Sequence, residues 1–465
     1  MFQSFREPIG EPLLEWSQSI PNDGLIHLHL SVGSHALLLT DPESLADVLI
    51  HHAYDYEKPG FLRRHLRHAL GEGLVVERGE AHKKKRKLLM PAFQQQRLYN
   101  MNPIILSTAD LLVKQLRATI PSIVSSELHS KNMVDIKPWM SRAALDIAGH
   151  FILSHDFRTI YENRAFYNAW HVIEKGSTLS QLIWQGFSPE LIKRLCPTSQ
   201  DKQIASAGIY IRDTVSRIVD ERLEQYKRLD KLPGDVLSQM ITTGEFTREE
   251  CIEQAVFGIG AAFDTTANIL SWALYHIAKH PQLQATLRAE VKRGYEMNVP
   301  SEDIHRSMSL LTAVILEASR LHPPIPVTVR KAVRDSSIKN QFVPAGTCII
   351  ISPYVANRSS KLWGIEAEQF SPERWLSGRI RDGPSDNIES PSSPYAYLTF
   401  LHGPRSCPGR SLAMMEMCII ISSIVTVFKL TAQQENEPET RGFLSASPKD
   451  GIHIGLSKLN EDIHI

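Results

Sequence analysis

Residues 400–410 read FLHGPRSCPGR, a stretch that sets Cys407 among prolines, glycines and arginines directly ahead of the apolar run SLAMMEMCIIISSIVTVF. The periodicity of that run predicts a helix. A thiol just before a helix N-terminus lies near unsatisfied backbone N–H groups and the positive end of the dipole. Both favour the thiolate, which is the form that binds metal. Gly403 and Gly409 permit tight turns and close approach of the backbone to a flat ligand. The plainer reading is that Cys407 is a small buried apolar residue, as most lone cysteines are. The rest of the chain decides between the two.

The chain has 465 residues, 42% apolar and 22% charged, as in an ordinary globular protein. Length alone would suggest roughly three domains. Lys+Arg and Asp+Glu each number 51, which argues against a globally basic nucleic-acid binder. Cys196, Cys251, Cys348, Cys407 and Cys418 are widely spread and lack a CxxC pair. That spacing argues against a disulfide framework or a zinc site and suits a reducing compartment. The sequon-like Asn357-Arg358-Ser359 is then accidental. The N-terminal MFQSFREPIGEPLLEWSQSI has no apolar run long enough for a signal peptide or a membrane span, and the later apolar stretches fit strands and core helices.

LIHLHLSVGSHALLLT, residues 25–40, alternates, breaks at Gly-Ser and resumes, so it predicts a β-hairpin. DPESLADVLI follows as a short capped helix. Patterns from about Ala81 to His280 are mostly helical. The longest segment runs from Thr247 to His280, opened by a capping box with Glu250 and stopped by Pro281. It should span ~50 Å. Its centre, FGIGAAFDTTANILSWAL, is apolar nearly all round except for Asp-Thr-Thr, and that polar interruption needs a cause. Residues 325–353 turn β-like, and SGRIRDGPSDNIESPSSP reads as an exposed loop. With no internal repeat and no flexible linker, the expectation is one large, mainly α domain over 1–465, with small β-sheets at about 25–40 and 325–353.

Phe400, Gly403, Arg405, Cys407 and Gly409 spell F-x-x-G-x-R-x-C-x-G, which resembles the haem-binding loop of the cytochrome P-450 superfamily. The resemblance continues through Ala413 and Glu416. It implies a mainly helical fold, a haem b whose iron is ligated by Cys407, and thiolate ligation that favours O–O cleavage. EASRLHPP holds Glu317 and Arg320 in the family's E-x-x-R, and FSPERW supplies Arg374. The resemblance makes these a buried Glu-Arg-Arg cluster that maintains the fold around the haem. AAFDTT, residues 261–266, resembles A-G-x-D-T-T, with Ala262 where glycine is common. There Ala261 would lie close over the haem, and Asp264 and Thr265 would be the acid–alcohol pair that delivers protons. Thr265 has a plainer alternative, bonding back to a carbonyl one turn earlier. GEAHKKKRKLLMPAF resembles the W-x-x-x-R helix, with Arg86 as the arginine and His82 in the tryptophan place. Arg86, His82, Arg330 and Arg405 would then face the haem propionates, a task the arginine fork suits.

The run Lys83, Lys84, Lys85, Arg86, Lys87 is most simply a solvated basic face. The resemblance implies more: its exposed lysines would steer an acidic NADPH-dependent reductase. Substrate contacts would fall at 61–74, 165–205 and around Ile259, Phe263, Ile325, Val327, Phe443 and Leu444, a mainly apolar set that suits a lipophilic small molecule. The chain thus reads as a haem-thiolate monooxygenase using O2, and FVPAGT with the long loop before the cysteine resembles fungal members of secondary metabolism. The alternative is a haem-binding sensor or carrier without turnover. Microsomal members sit on the endoplasmic reticulum, but this sequence shows no N-terminal anchor, which leaves peripheral membrane contact open.

Overall fold

Thr247 starts the helix that organises the molecule. Its hydroxyl accepts from the Glu250 N–H, and the Glu250 carboxylate accepts from the Thr247 N–H at 2.8 Å, closing the capping box read from the sequence. The helix then runs 32 residues, Arg248–Lys279, and ends where Pro281 opens the next one. The computed structural model describes residues 7–31, 34–71, 73–120, 133–176, 197–228, 230–296, 307–376, 393–432, 437–442 and 445–459.

In chain order the helices are α1 Glu11–Ser19, α2 Pro42–Ala46, α3 Gly60–Leu70, α4 Gly79–Leu89, α5 Gln95–Tyr99, α6 Asn102–Thr119, α7 Lys137–Leu153 and α8 Arg164–Gly176. There follow α9 Ser199–Lys227, α10 Val236–Thr243, the central α11 Arg248–Lys279, α12 Pro281–Glu296, α13 Ser309–Leu321, α14 Pro353–Ala356, α15 Ser360–Trp363 and α16 Arg410–Val427. Helix α2 is capped as expected, with the Asp41 side chain accepting from the Ser44 N–H.

The hairpin is β1 Leu25–Ser31 with β2 Ser34–Leu39, antiparallel, Leu25 opposite Leu39. It belongs to a five-stranded sheet ordered β1-β2-β8-β5-β3, with β3 Tyr56–Glu57, β5 Thr328–Ala332 and β8 Cys348–Ile351, while β4 Met133–Asp135 lies in a second sheet and β6 Ser336–Ile338 pairs with β7 Gln341–Val343. The β2–β8 pair is parallel and the rest are antiparallel. Alternation sorts the side chains: Leu39, Ile349 and Ile351 pack on one face, and Ile26, Leu38 and Ile350 on the other. The β-like reading of 325–353 holds for β5 and β8, with the small pair Ser336–Ile338 and Gln341–Val343 between them.

The main core gathers on α11, where Ala267, Leu270 and Tyr275 are fully enclosed with Ile147 of α7 and Ile424 of α16. Helix α16 is long and apolar enough to cross a membrane by composition, yet 72% of it is buried inside the protein, so it is a core helix. Asn357 of the sequon-like triplet is also fully buried. It donates to the Arg320 carbonyl and accepts from the Leu398 N–H, so it cannot carry a glycan. The stretch read as a long exposed loop lies almost wholly outside the described residues, as does Cys196.

Candidate active site

The cysteine loop is held by its backbone. Gly403 has φ +75°, and a Cβ added there would meet the Leu49 carbonyl oxygen at 2.0 Å, so only glycine fits. The Cys407 N–H donates to the Phe400 carbonyl at 2.9 Å, and the Phe400 ring lies under the Arg410 guanidinium. Cys407 ends beside the α16 N-terminus, where the N–H groups of Gly409 and Arg410 point at its sulfur. A Cβ on Gly409 would lie in ordinary van der Waals contact with that sulfur, at 3.9 Å. Burial nonetheless pushes the thiol up, against those N–H groups and the charges of Arg86 and Arg410. The expected stabilisation of thiolate is therefore present but smaller than the desolvation cost, which corrects the sequence reading. Cys407 is accessible at its surface although it is desolvated deep among protein atoms. Both hold only if it faces an interior cleft.

Beside the loop lies a concentration of cations. Arg86 of α4 donates to the Ser406 carbonyl at 2.8 Å, and Arg405 donates to the Glu77 carbonyl at 3.1 Å. Nε and Nη2 of Arg405 are buried and find no partner among the described residues. Arg330 is buried, bonded to Thr328 and the Val329 carbonyl, and is lowered to about 10 by burial and then by Arg405. Lys58 also donates to Thr328 and lies well below the usual lysine range, through burial and then Arg330 and Arg405. His82 is buried and pulled down to about 4 by desolvation and by Arg405, Arg86 and Arg330. Its Nδ1 pairs with the Tyr54 hydroxyl at 3.2 Å. With Tyr54 donating, the neutral ring keeps its hydrogen on Nε2. The nearby carboxylate, Glu57, is engaged with Arg78 and the Gly79 N–H.

Glu317, Arg320 and Arg374 come together as expected. Arg320 grips both Glu317 oxygens at 2.9 and 2.8 Å, and Arg374 Nε reaches Oε1 at 2.9 Å. The Trp375 and Ser371 N–H groups complete the carboxylate shell. Arg320 also donates to the carbonyls of Asn357, Ala367 and Gln369, so this buried charge set is satisfied internally.

On α11, Ala261 is exposed and Thr265 half-buried, while Phe263, Thr266 and Ala267 are buried. The Thr265 hydroxyl donates to the Ala261 carbonyl at 2.8 Å, the back-bond posed as its plainer alternative. Asp264 turns elsewhere. Its Oδ1 lies 2.9 Å from Lys137 Nζ at the start of α7, and the same ammonium lies 2.9 Å from Glu174 Oε1 on α8. Glu174 is pulled down to about 2 against its burial, chiefly by Lys137, whereas burial leaves Asp264 raised. Two carboxyls sharing one ammonium are thus pushed apart. Asn268 and, through it, Ser445 complete the set.

The family model described as Cytochrome P450 matches residues 27–454. The chain belongs to the cytochrome P450 family. It is similar to the cytochrome P450 monooxygenase FUM15 of Gibberella moniliformis, 32% identical, covering 92% of this chain and 80% of that one. It is also similar to the cytochrome P450 monooxygenase sphH of Aspergillus fumigatus, 30% identical over 94% and 82% of the two chains. The cytochrome P450 monooxygenase ptmK of Penicillium ochrochloron is 31% identical over 98% and 90%. The P450 chain is an oxidoreductase of the monooxygenase class, and the family implies a haem held by a cysteine thiolate.

The residues present fit that group. A cleft-facing thiol stands beside four cations and a neutral histidine, with buried guanidinium nitrogens left to bond a ligand that carries two carboxylates. Lys58 was not singled out from the sequence, because nothing in YDYEKP marks it as inward-facing. Lys137 and Glu174 were missed for the same reason: they meet Asp264 only through the packing of α7 and α8 on α11.

Other expectations need adjustment. Lys83 and Lys84 are paired with Glu80 and Glu245 but stay exposed, whereas Lys85 is only 17% exposed between Glu77 and Glu250, so it is not presented as a docking charge. Ile259 and Phe263 lie in the main core, about 200° round α11 from Ala261, with Phe263 packed on Trp170. Ile325 is 36% exposed and Val327 half-buried. Phe443, Leu444 and residues 177–196 lie outside the described residues.

Proposed function

We propose that this P450 takes electrons from NADPH through a flavoprotein reductase and, with O2, hydroxylates or otherwise oxidises a lipophilic small molecule in fungal secondary metabolism. The observation that carries the reading is Cys407, enclosed yet accessible, set against a cation cluster in which two buried nitrogens of Arg405 have no partner among the described residues. Arg86, Arg330, Arg405, Lys58 and the Nε2–H of His82 would receive the propionates. Bound haem supplies the activation of dioxygen and the oxidation of a C–H bond.

The chain's own task on the other side is to manage protons in a site kept dry. Lys137 neutralises Glu174, so Asp264, raised by burial, is the carboxyl of the two that holds a proton more readily. Thr265, its hydroxyl anchored on the Ala261 carbonyl, would serve as the alcohol of the pair on the more accessible side of α11. General acid–base groups of this kind contribute about 10²–10⁴-fold. The exposed Lys83 and Lys84 on α4, the helix whose Arg86 touches the cysteine loop, suit docking of an acidic reductase.

The test is a reduced-plus-carbon-monoxide difference spectrum of wild type and Cys407→Ala. A thiolate-type Soret band is expected in the first and not in the second. A band that survives in Cys407→Ala overturns the ligand assignment. The alternative of a sensor without turnover has no support among the relatives, which are named monooxygenases. NADPH oxidation tied to an oxygenated product separates the two in solution.

A further inference from the structure

The hairpin at the edge of the five-stranded sheet carries a histidine cluster that the haem chemistry does not use. Residues 25, 27 and 29 of β1 share a face with 35, 37 and 39 of β2, because His29 is paired with His35, His27 with Leu37 and Leu25 with Leu39. Near the sheet body that face is leucine, packed on the core; toward the turn it becomes His27, His29 and His35, all exposed. The three rings form a near-equilateral triangle, with centroids 4.7, 5.0 and 5.1 Å apart. One donor nitrogen from each lies within 4.8 Å of the others, and His27 Nε2 is 3.0 Å from His35 Nδ1.

We propose that His27, His29 and His35 form a binding site for a divalent transition-metal ion, Zn(II), that ties β1 to β2. Tetrahedral zinc with bonds of 2.0–2.1 Å sets its ligand nitrogens about 3.3 Å apart. The His27–His35 pair is within a few tenths of an ångström of that, and His29 closes the gap by rotating its ring over the cross-strand partner. Neutral imidazole is the ligand form, and an all-nitrogen set suits zinc better than calcium or magnesium. Exposure gives the ion direct entry and leaves the fourth position to water. The site is independent of Cys407 and of the haem.

The experiment is calorimetric titration of ZnCl2 into the haem-loaded full chain, freed of any oligohistidine tag. It is run beside His27→Ala, His29→Ala and His35→Ala, with amide exchange followed over residues 25–39. One zinc equivalent is expected in wild type, weakened in each variant by at least about 10–100-fold, the loss that even outer-shell partners of a metal produce. Exchange in the hairpin should slow on adding zinc to wild type alone. Wild type that binds no zinc, or variants that keep the same stoichiometry and affinity, overturn the site. The carbon monoxide spectrum of each variant should stay unchanged, which shows that these surface substitutions leave the fold intact.

Discussion

Replacing Lys137 by methionine removes one ammonium and keeps most of its apolar stem. Lys137 Nζ lies 2.9 Å from both Glu174 Oε1 and Asp264 Oδ1. At an effective dielectric of about 20, a contact at that distance is worth roughly 6 kcal/mol of gross attraction. Desolvation of the groups offsets most of it, and deleting one partner of a buried pair typically costs about 3–5 kcal/mol net. Asp264 escapes part of that cost by taking up a proton, since burial already raises it. Glu174, pulled down to about 2, has more to lose, although His171 remains beside it. The expected loss is therefore at the lower end, about 3 kcal/mol.

Adding Glu174→Gln removes the orphaned carboxylate, so Lys137→Met/Glu174→Gln should recover much of the loss, an interaction of ~1–3 kcal/mol. Urea unfolding of wild type, both single variants and the double variant measures it. Product formed per NADPH in Lys137→Met should fall by at least about 10-fold while the carbon monoxide spectrum is retained, because Asp264 then holds its proton without a compensating charge. If the two substitutions add with no interaction and coupling to product is unchanged, the three residues are not a unit and the proton assignment to Asp264 fails.

Gly403→Ala should yield no soluble haem-loaded protein, because its Cβ would sit 2.0 Å from the Leu49 carbonyl at φ +75°; normal expression with a normal carbon monoxide spectrum would contradict this. Glu317→Gln leaves Arg320 and Arg374 without their buried counter-charge, a loss of about 3–5 kcal/mol read as failure to retain haem. Lys83→Glu/Lys84→Glu should slow reduction by an acidic reductase about 10-fold at low salt and much less at high salt, by stopped flow, whereas Lys85 is excluded by its low exposure. His276 is held down to about 3 by burial, then by His280 and Lys279. Between about pH 6.5 and 3 the unfolded chain binds a proton there that the folded chain does not, so stability falls as pH drops through that window, by up to about 1.4 kcal/mol per unit. His276→Gln should flatten that acid limb in melting curves at pH 7 and pH 5, and an unchanged limb would assign it elsewhere.

The elements legible in the sequence were those whose signals are local. The capping box at Thr247 and Glu250, the hairpin around Leu25 and Leu39, and the cysteine loop each depend on residues a few places apart, and each is found where its spacing puts it. The Glu317–Arg320 pair is also local, although its third member and its shell of carbonyls come from far along the chain. What could not be read was set by packing between distant elements. Lys137 opens a helix as KPWM, which looks like an ordinary first turn, until α7 lies against α11 and buries its charge. Lys58 and Lys85 sit in stretches that look solvated, yet one is buried among arginines and the other is clamped by Glu77 and Glu250. At Cys407 the helix N-terminus favours the thiolate, as its local sequence implies, but burial outweighs it, and depth of burial is a tertiary quantity.

Charge balance over the whole chain, 51 of each sign, conceals how unevenly the interior distributes it. The Glu317 cluster closes on itself, with each guanidinium meeting a carboxylate or a carbonyl, so it can form before any ligand arrives. The group around Arg405 differs: Lys58, Arg330 and His82 are each lowered by burial and by the Arg405 charge, and Arg405 keeps buried nitrogens without partners among the described residues. Burying these like charges and unpaired donors together is unfavourable, and a ligand bearing two carboxylates removes that penalty. Binding free energy at this place is therefore folding free energy for the loop and α4. On that argument the fold should tighten around Cys407 when haem enters, while the Glu317 side, already satisfied, should change little.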